Sequence, residues 1–253
     1  MDGYYVVEVE PTIAAQHQHT AAFAADDTLF HWKEFPVWPQ PGRLIGCTAL
    51  IRGTNGTRQE EPFDLYFDKK ALYSLGTPNA PCALPPSNDI VGALRVDATH
   101  YMDGLPTMEV ASVQTSARLT LPTPDQRGLV VRQTSGIVWG AIPRVPSNFL
   151  YVGGVAQGAL DFRSTCQLAA SYTAGQTATI TLLNSKALTN LAVGDVIHST
   201  NSGVDAIIGT IKSVDTANQV TLEAANTAAL TINHYVYPIH PIKLLLSFAY
   251  TGS

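Results

Sequence analysis

The chain is 253 residues long, 45% hydrophobic and only 14% charged, with a formal net charge of −5. Ordinary globular domains carry about 25% charged residues; here Gly, Pro, Thr and Ala take their place, a composition of short strands, tight turns and sparsely charged faces. Phosphate contacts need clustered Lys and Arg, so this balance speaks against a nucleic-acid partner, and no run approaches the ~18 continuous apolar residues of a membrane-spanning helix.

The length leaves room for one larger and one smaller unit, roughly 1.7 average domains. The opening Met-Asp-Gly-Tyr-Tyr-Val-Val-Glu has neither the basic start nor the apolar run of a secretory leader. Three cysteines, Cys47, Cys82 and Cys166, are spread too widely for a metal framework, and their odd number leaves at least one thiol free. Folding in a reducing compartment accounts for them. Basic residues sit singly, apart from Lys69-Lys70, as solvated positions.

Taken in chain order, the first strand is expected over Tyr4–Val9, followed by an exposed loop holding His17 and His19. The stretch Phe30-His-Trp-Lys-Glu-Phe-Pro-Val-Trp38 reads as a core-edge strand and covering loop. Strands follow over Leu44–Ile51 and Phe63–Phe67, and the Asn-Gly of Gly53–Thr57 between them predicts a hairpin turn. Pro36, Pro39 and Pro41, then Pro78, Pro81, Pro85 and Pro86, mark long connections. No window of twelve residues or more has a helical period; Asn88–Arg95 is the one place where a short helical turn is expected. In Val113–Leu121 the odd positions pack and the even ones are wet, the period of a half-buried strand.

Phe149–Val155 is a strand of the same system, and Ile242–Tyr250 is its closing strand, apolar on both faces and therefore central or covered by a neighbouring subunit. The Thr/Ala-rich stretch between them has its own strands. Ala178, Ile180 and Leu182 alternate with threonines, Val193-Gly-Asp-Val-Ile197 turns into a short strand, and Ile207–Val214 leads through Asp215–Asn218 into Gln219–Glu223. Its charges, Asp195, Asp205 and Asp215, fall at turns. The expectation is an all-β protein: an antiparallel jelly-roll sandwich over 1–162 plus 242–253, with a second small β-barrel of about five strands inserted over 163–241, before the last strand.

No chemistry is spelled out. His17 and His19 on a strand would share a face, as metal-binding pairs of cupin barrels do, but the carboxylate that should follow is out of register at Asp26 and Asp27. There is no Gly-x-Ser-x-Gly elbow and no phosphate-cradling glycine loop. Gly153-Gly154 reads as a bulge within a strand. Glu60-Glu61 points to opposite faces if extended, so these are solvated charges. Cys47 reads as a small buried hydrophobe. Neither a metal nor a cofactor is expected. The aromatic stretch by itself is not a sugar or nucleotide site; as a partner-binding anchor it offers Trp32, Phe35 and Trp38, residue types that concentrate interface energy.

Read in order, Val6–Ile13, Ala21–Thr28, Gly42–Ile51, Phe63–Asp68, Leu150–Val155 and Lys243–Phe248 resemble a group of tailed-phage virion proteins that coat or cement the capsid. The resemblance covers the first unit and the closing strand; the usual member is a single jelly roll, so 163–241 departs from the pattern. It implies a non-enzymatic protein on the outer capsid surface, made in the host cytoplasm. Its partners would be the major capsid protein and two further copies of itself in a homotrimer that bridges capsomers. The alternative is a receptor- or glycan-binding adhesin of a head or tail fibre, with the inserted barrel as its tip. A cupin-like enzyme is the third reading.

Overall fold

The computed structural model describes residues 3–37, 42–52, 58–84, 90–102, 108–120, 148–163, 166–185, 187–200 and 206–250. The first unit contains β1 (Gly3–Val9), α1 (Ala15–Thr20), β2 (Thr28–Val37), β3 (Gly42–Ile51), β4 (Phe63–Asp68), β5 (Ile90–Val96), β6 (Glu109–Thr120) and β7 (Asn148–Ala156). The inserted stretch contributes β8 (Thr179–Thr181), α2 (Ala187–Asn190), β9 (Val196–Thr200), β10 (Ala206–Thr216), β11 (Gln219–Leu222) and β12 (Tyr235–Pro238), and β13 (Ile242–Tyr250) returns to the first unit.

Two four-stranded sheets, β1-β13-β3-β6 and β2-β7-β4-β5, form an antiparallel sandwich. Counted without the inserted strands, β13 is the eighth strand, and the sheets run 1-8-3-6 and 2-7-4-5. β13 is central, flanked by β1 and β3. Its alternate residues Ile242, Leu244, Leu246 and Phe248 are buried between the sheets, as the period of two requires. Phe35 of β2 meets them from the opposite sheet, stacked on Phe248 at 6.1 Å and edge-on to Phe67 at 6.3 Å.

The insertion folds around a second apolar cluster. Its sheet is ordered β12-β9-β10-β11-β8, and the extended segment 166–169 lies across the gap. Val236 donates to the Cys166 carbonyl and Leu168 to that of His234, while Ala169 donates to Thr181 and Leu183 to Gln167. Backbone bonds thus reach both outer strands of the sheet. The sandwich cluster ends at Phe162 and resumes at Ile242, whereas the second runs from Cys166 to Val236.

Three local expectations are corrected. The turn expected at 53–57 lies outside the described residues, but the strands on either side of it do not pair with each other: β3 lies in one sheet and β4 in the other. Both edges of β3 are occupied, by β13 and β6, so it has no edge left for β4. The part of Asn88–Arg95 that is described, from Ile90 on, is strand β5; it pairs with β4 and buries Leu94 and Val96 while Arg95 faces outward onto Asp64, a pattern of period two. Residues 15–20 form a short helix instead of an exposed loop, because Gln18 is fully buried and donates to the Ile13 and Pro238 carbonyls at 2.7 and 3.0 Å.

Candidate functional site

The aromatic strand β2 breaks its own alternation. Its pairing with β7 slips between Thr28 and Phe30 and again between Phe30 and Lys33, and such bulges re-aim side chains. Leu29 and Phe30 are consequently both buried, His31 is exposed, and Trp32 and Lys33 sit side by side half-buried. The irregularity therefore belongs to β2; Gly153 and Gly154 opposite continue a regular ladder with β4. Those glycines provide room. A Cβ on Gly153 would come within 2.1 Å of Leu75 Cδ1 and 3.0 Å of the Trp32 ring, and one on Gly154 within 2.4 Å of the Phe30 ring.

Of the three proposed anchors, Phe35 is corrected outright. It is 2% exposed and lies between the sheets, because alternation resumes after the bulge and turns it inward; as placed, it has no face for a partner. Trp32 is half-buried, and its indole Nε1 donates to the Tyr73 carbonyl at 2.7 Å. Trp38 lies outside the described residues.

Beside Trp32 the structure opens a cleft of about 370 Å³. Thr12 and His17 form one wall, His31, Trp32 and Lys33 another, and Pro78 a third. The walls are tied together. Asn79, held at φ +60°, donates its side-chain amide to the carbonyls of His17 and Ala21 at 2.9 and 2.8 Å and its backbone N–H to Thr28; Asn tolerates this left-handed backbone better than most residues. Desolvation by its neighbours pushes the His31 imidazole below its ordinary pKa; in its neutral form the ring offers one donor and one acceptor. Lys33 supplies a positive charge.

The helix separates the two histidines expected to share a face. Residues two apart on a helix do not face each other, and while His17 lines the cleft, His19 Nδ1 is 2.8 Å from the Tyr237 hydroxyl and its ring 4.9 Å from that of Tyr235. No three His, Cys, Asp or Glu side chains come together as metal ligands among the described residues. Cys47 is 2% exposed, and burial pushes its thiol up to about 12, the behaviour of a small hydrophobe rather than a nucleophile. Glu60 takes a positive φ and pairs with Arg58, while the buried carboxylate of Glu109 accepts the backbone N–H groups of Gln59 and Glu60, each at 3.0 Å.

A second polar constellation joins the two units. Asp195, expected at a turn, is 8% exposed and accepts both Arg52 guanidinium nitrogens, at 2.6 and 3.2 Å, together with the Ala192 N–H at 2.7 Å. Burial pushes its carboxyl pKa up, and Arg52 draws it back in part. Backbone bonds from Ile13 to Ile239 and from Arg52 to Pro241 run alongside, and Lys243 holds both Glu8 and Glu10 at 2.8 Å. No sequence pattern announces a pair as far apart as Arg52 and Asp195; the Val-Gly-Asp turn was visible, its partner was not. Comparison with protein-family models, with curated proteins and with solved structures returned no match.

Proposed function

We propose that this chain is a non-enzymatic structural protein of a bacteriophage particle, with the sandwich holding the outer capsid surface across neighbouring capsomers and the inserted unit facing outward. The observation that carries this reading is the insertion itself. It enters the crossover between the seventh and eighth strands of the sandwich and is braced there by the Arg52–Asp195 pair, by Gln18 of α1 and by short backbone bridges. A second unit fixed to the sandwich by such contacts suits a protein that is displayed; a mobile catalytic lid would need the opposite. The strand order 1-8-3-6 over 2-7-4-5 supports reading the sandwich as a jelly roll, in keeping with the virion resemblance of the first unit, and self-association in threes would let one assembly span several capsomers.

The test is quantitative mass spectrometry of purified particles. The proposal predicts a copy number comparable to that of the capsid lattice, and absence from particles overturns it. The second reading, a fibre adhesin, is favoured by the cleft beside Trp32 and predicts a copy number matching the few fibres instead.

A further inference from the structure

We propose that the cleft between α1 and β2 binds an acidic sugar, with its carboxylate on Lys33 and one face of its ring on Trp32. The inference rests on the cleft alone and not on the capsid reading. A volume of about 370 Å³ lies within the range of small-ligand sites, on the order of 300–1,000 Å³. The chain as a whole has a net charge of −5, yet Lys33 and two imidazoles line this cleft and no carboxylate among the described residues does. Lys33 is therefore the charge in this lining that would draw an anion.

Three features point to a sugar rather than a bare anion. Trp32 is a pinned platform: its Nε1 is engaged with Tyr73, and its ring edge lies over Gly153, where a Cβ would stand 3.0 Å away. A rigid indole offers apolar area at little entropic cost, which the apolar face of a pyranose can cover. The His31 imidazole in its neutral form and the Thr12 hydroxyl each present both donor and acceptor, the complement of sugar hydroxyls. A planar, bidentate phosphate site favours the guanidinium fork, and no arginine lines this cleft. The segment Phe30–Trp38 is no sugar site by itself; α1 and the Pro78-Asn79 turn complete it.

The full chain is titrated with glucuronate, glucose and acetate while its backbone amide and indole NMR signals are followed. Glucuronate is expected to bind with at least about fivefold preference over each of the others, the difference one charge-assisted contact makes at an exposed site. It should shift the signals of His31, Trp32 and Lys33. Lys33→Gln should erase the preference over glucose, and Trp32→Leu should weaken both sugars, with circular dichroism confirming that each variant is folded. Equal binding of acetate and glucuronate reduces the cleft to a simple anion site and overturns the proposal, as do equal binding of glucose or the absence of shifts at these residues. None of these outcomes bears on particle copy number, so this inference and the capsid reading fail separately.

Discussion

The two cores of this molecule are built from different side chains. The first core holds Phe23, Phe30, Phe35, Phe63, Phe67, Phe162 and Phe248, all buried, whereas the inserted unit packs on Leu168, Ile180, Leu182, Ile197, Ile208, Ile211 and Val220, with no phenylalanine in its cluster. Stacked sheets stand about 10 Å apart, a gap that long aromatic side chains fill from both sides. The smaller cluster of the inserted unit is filled by compact aliphatic side chains. The difference teaches that the insertion is a self-contained unit packed by its own rule, and that what joins it to the sandwich is largely polar.

The largest expected effect is in the sandwich. Phe35→Ala removes a ring that touches both Phe67 and Phe248 and should cost about 3–5 kcal/mol, exposing Cys47 to alkylation in the native-condition ensemble. Were Phe35 an interface residue, the variant would keep its stability and lose only association. Ile180→Ala in the inserted core should cost about 2–4 kcal/mol; calorimetry should then show an early transition that unmasks Cys166 while Cys47 stays protected. A single transition unmasking both thiols together would erase the distinction between the cores.

Breaking the brace sharpens the comparison further. Arg52→Ala leaves the Asp195 carboxylate buried beside Ala192 with its charge uncompensated and should cost about 2–3 kcal/mol. Adding Asp195→Asn should recover part of that loss, measured by urea denaturation of the single and double variants; an additive double variant would show that the two side chains do not act on one another. The smallest effect concerns Lys243. Its hydrogen bond holds the Glu10 carboxyl below its ordinary pKa. A lowered carboxyl contributes stability above its unfolded value and loses it as the pH falls through its folded value. Lys243→Met should therefore flatten the loss of stability on acidification, by less than about 1 kcal/mol because solvent reaches and screens the pair. An unchanged acid limb would mean that the pair contributes nothing.

The sequence was most readable where one periodicity met one environment. The strict alternation of Ile242 to Phe248 locates a strand and its buried face, and Gly194 followed by Asp195 locates a turn. Legibility failed where tertiary context chose between local options. The apolar run from Ile90 serves a strand or a helical turn equally until β4 stands beside it. The Asn-Gly between β3 and β4 suits a hairpin, yet the strand it follows has no free edge. In β2 two bulges put Trp32 and Lys33 together and send Phe35 inward, so equal aromatic character gave no clue to opposite fates. The cleft drew its far wall from α1 and from Pro78, which only the fold brings to β2.

The central claim is that the sandwich holds a capsid and the inserted unit faces away from it. Hydrogen exchange of the chain bound to particles, compared with the free chain, addresses both halves at once. The account predicts added protection on the sandwich strands, with β8 to β12 exchanging as they do in the free protein. Protection concentrated on β8 to β12, with the sandwich unchanged, would contradict it.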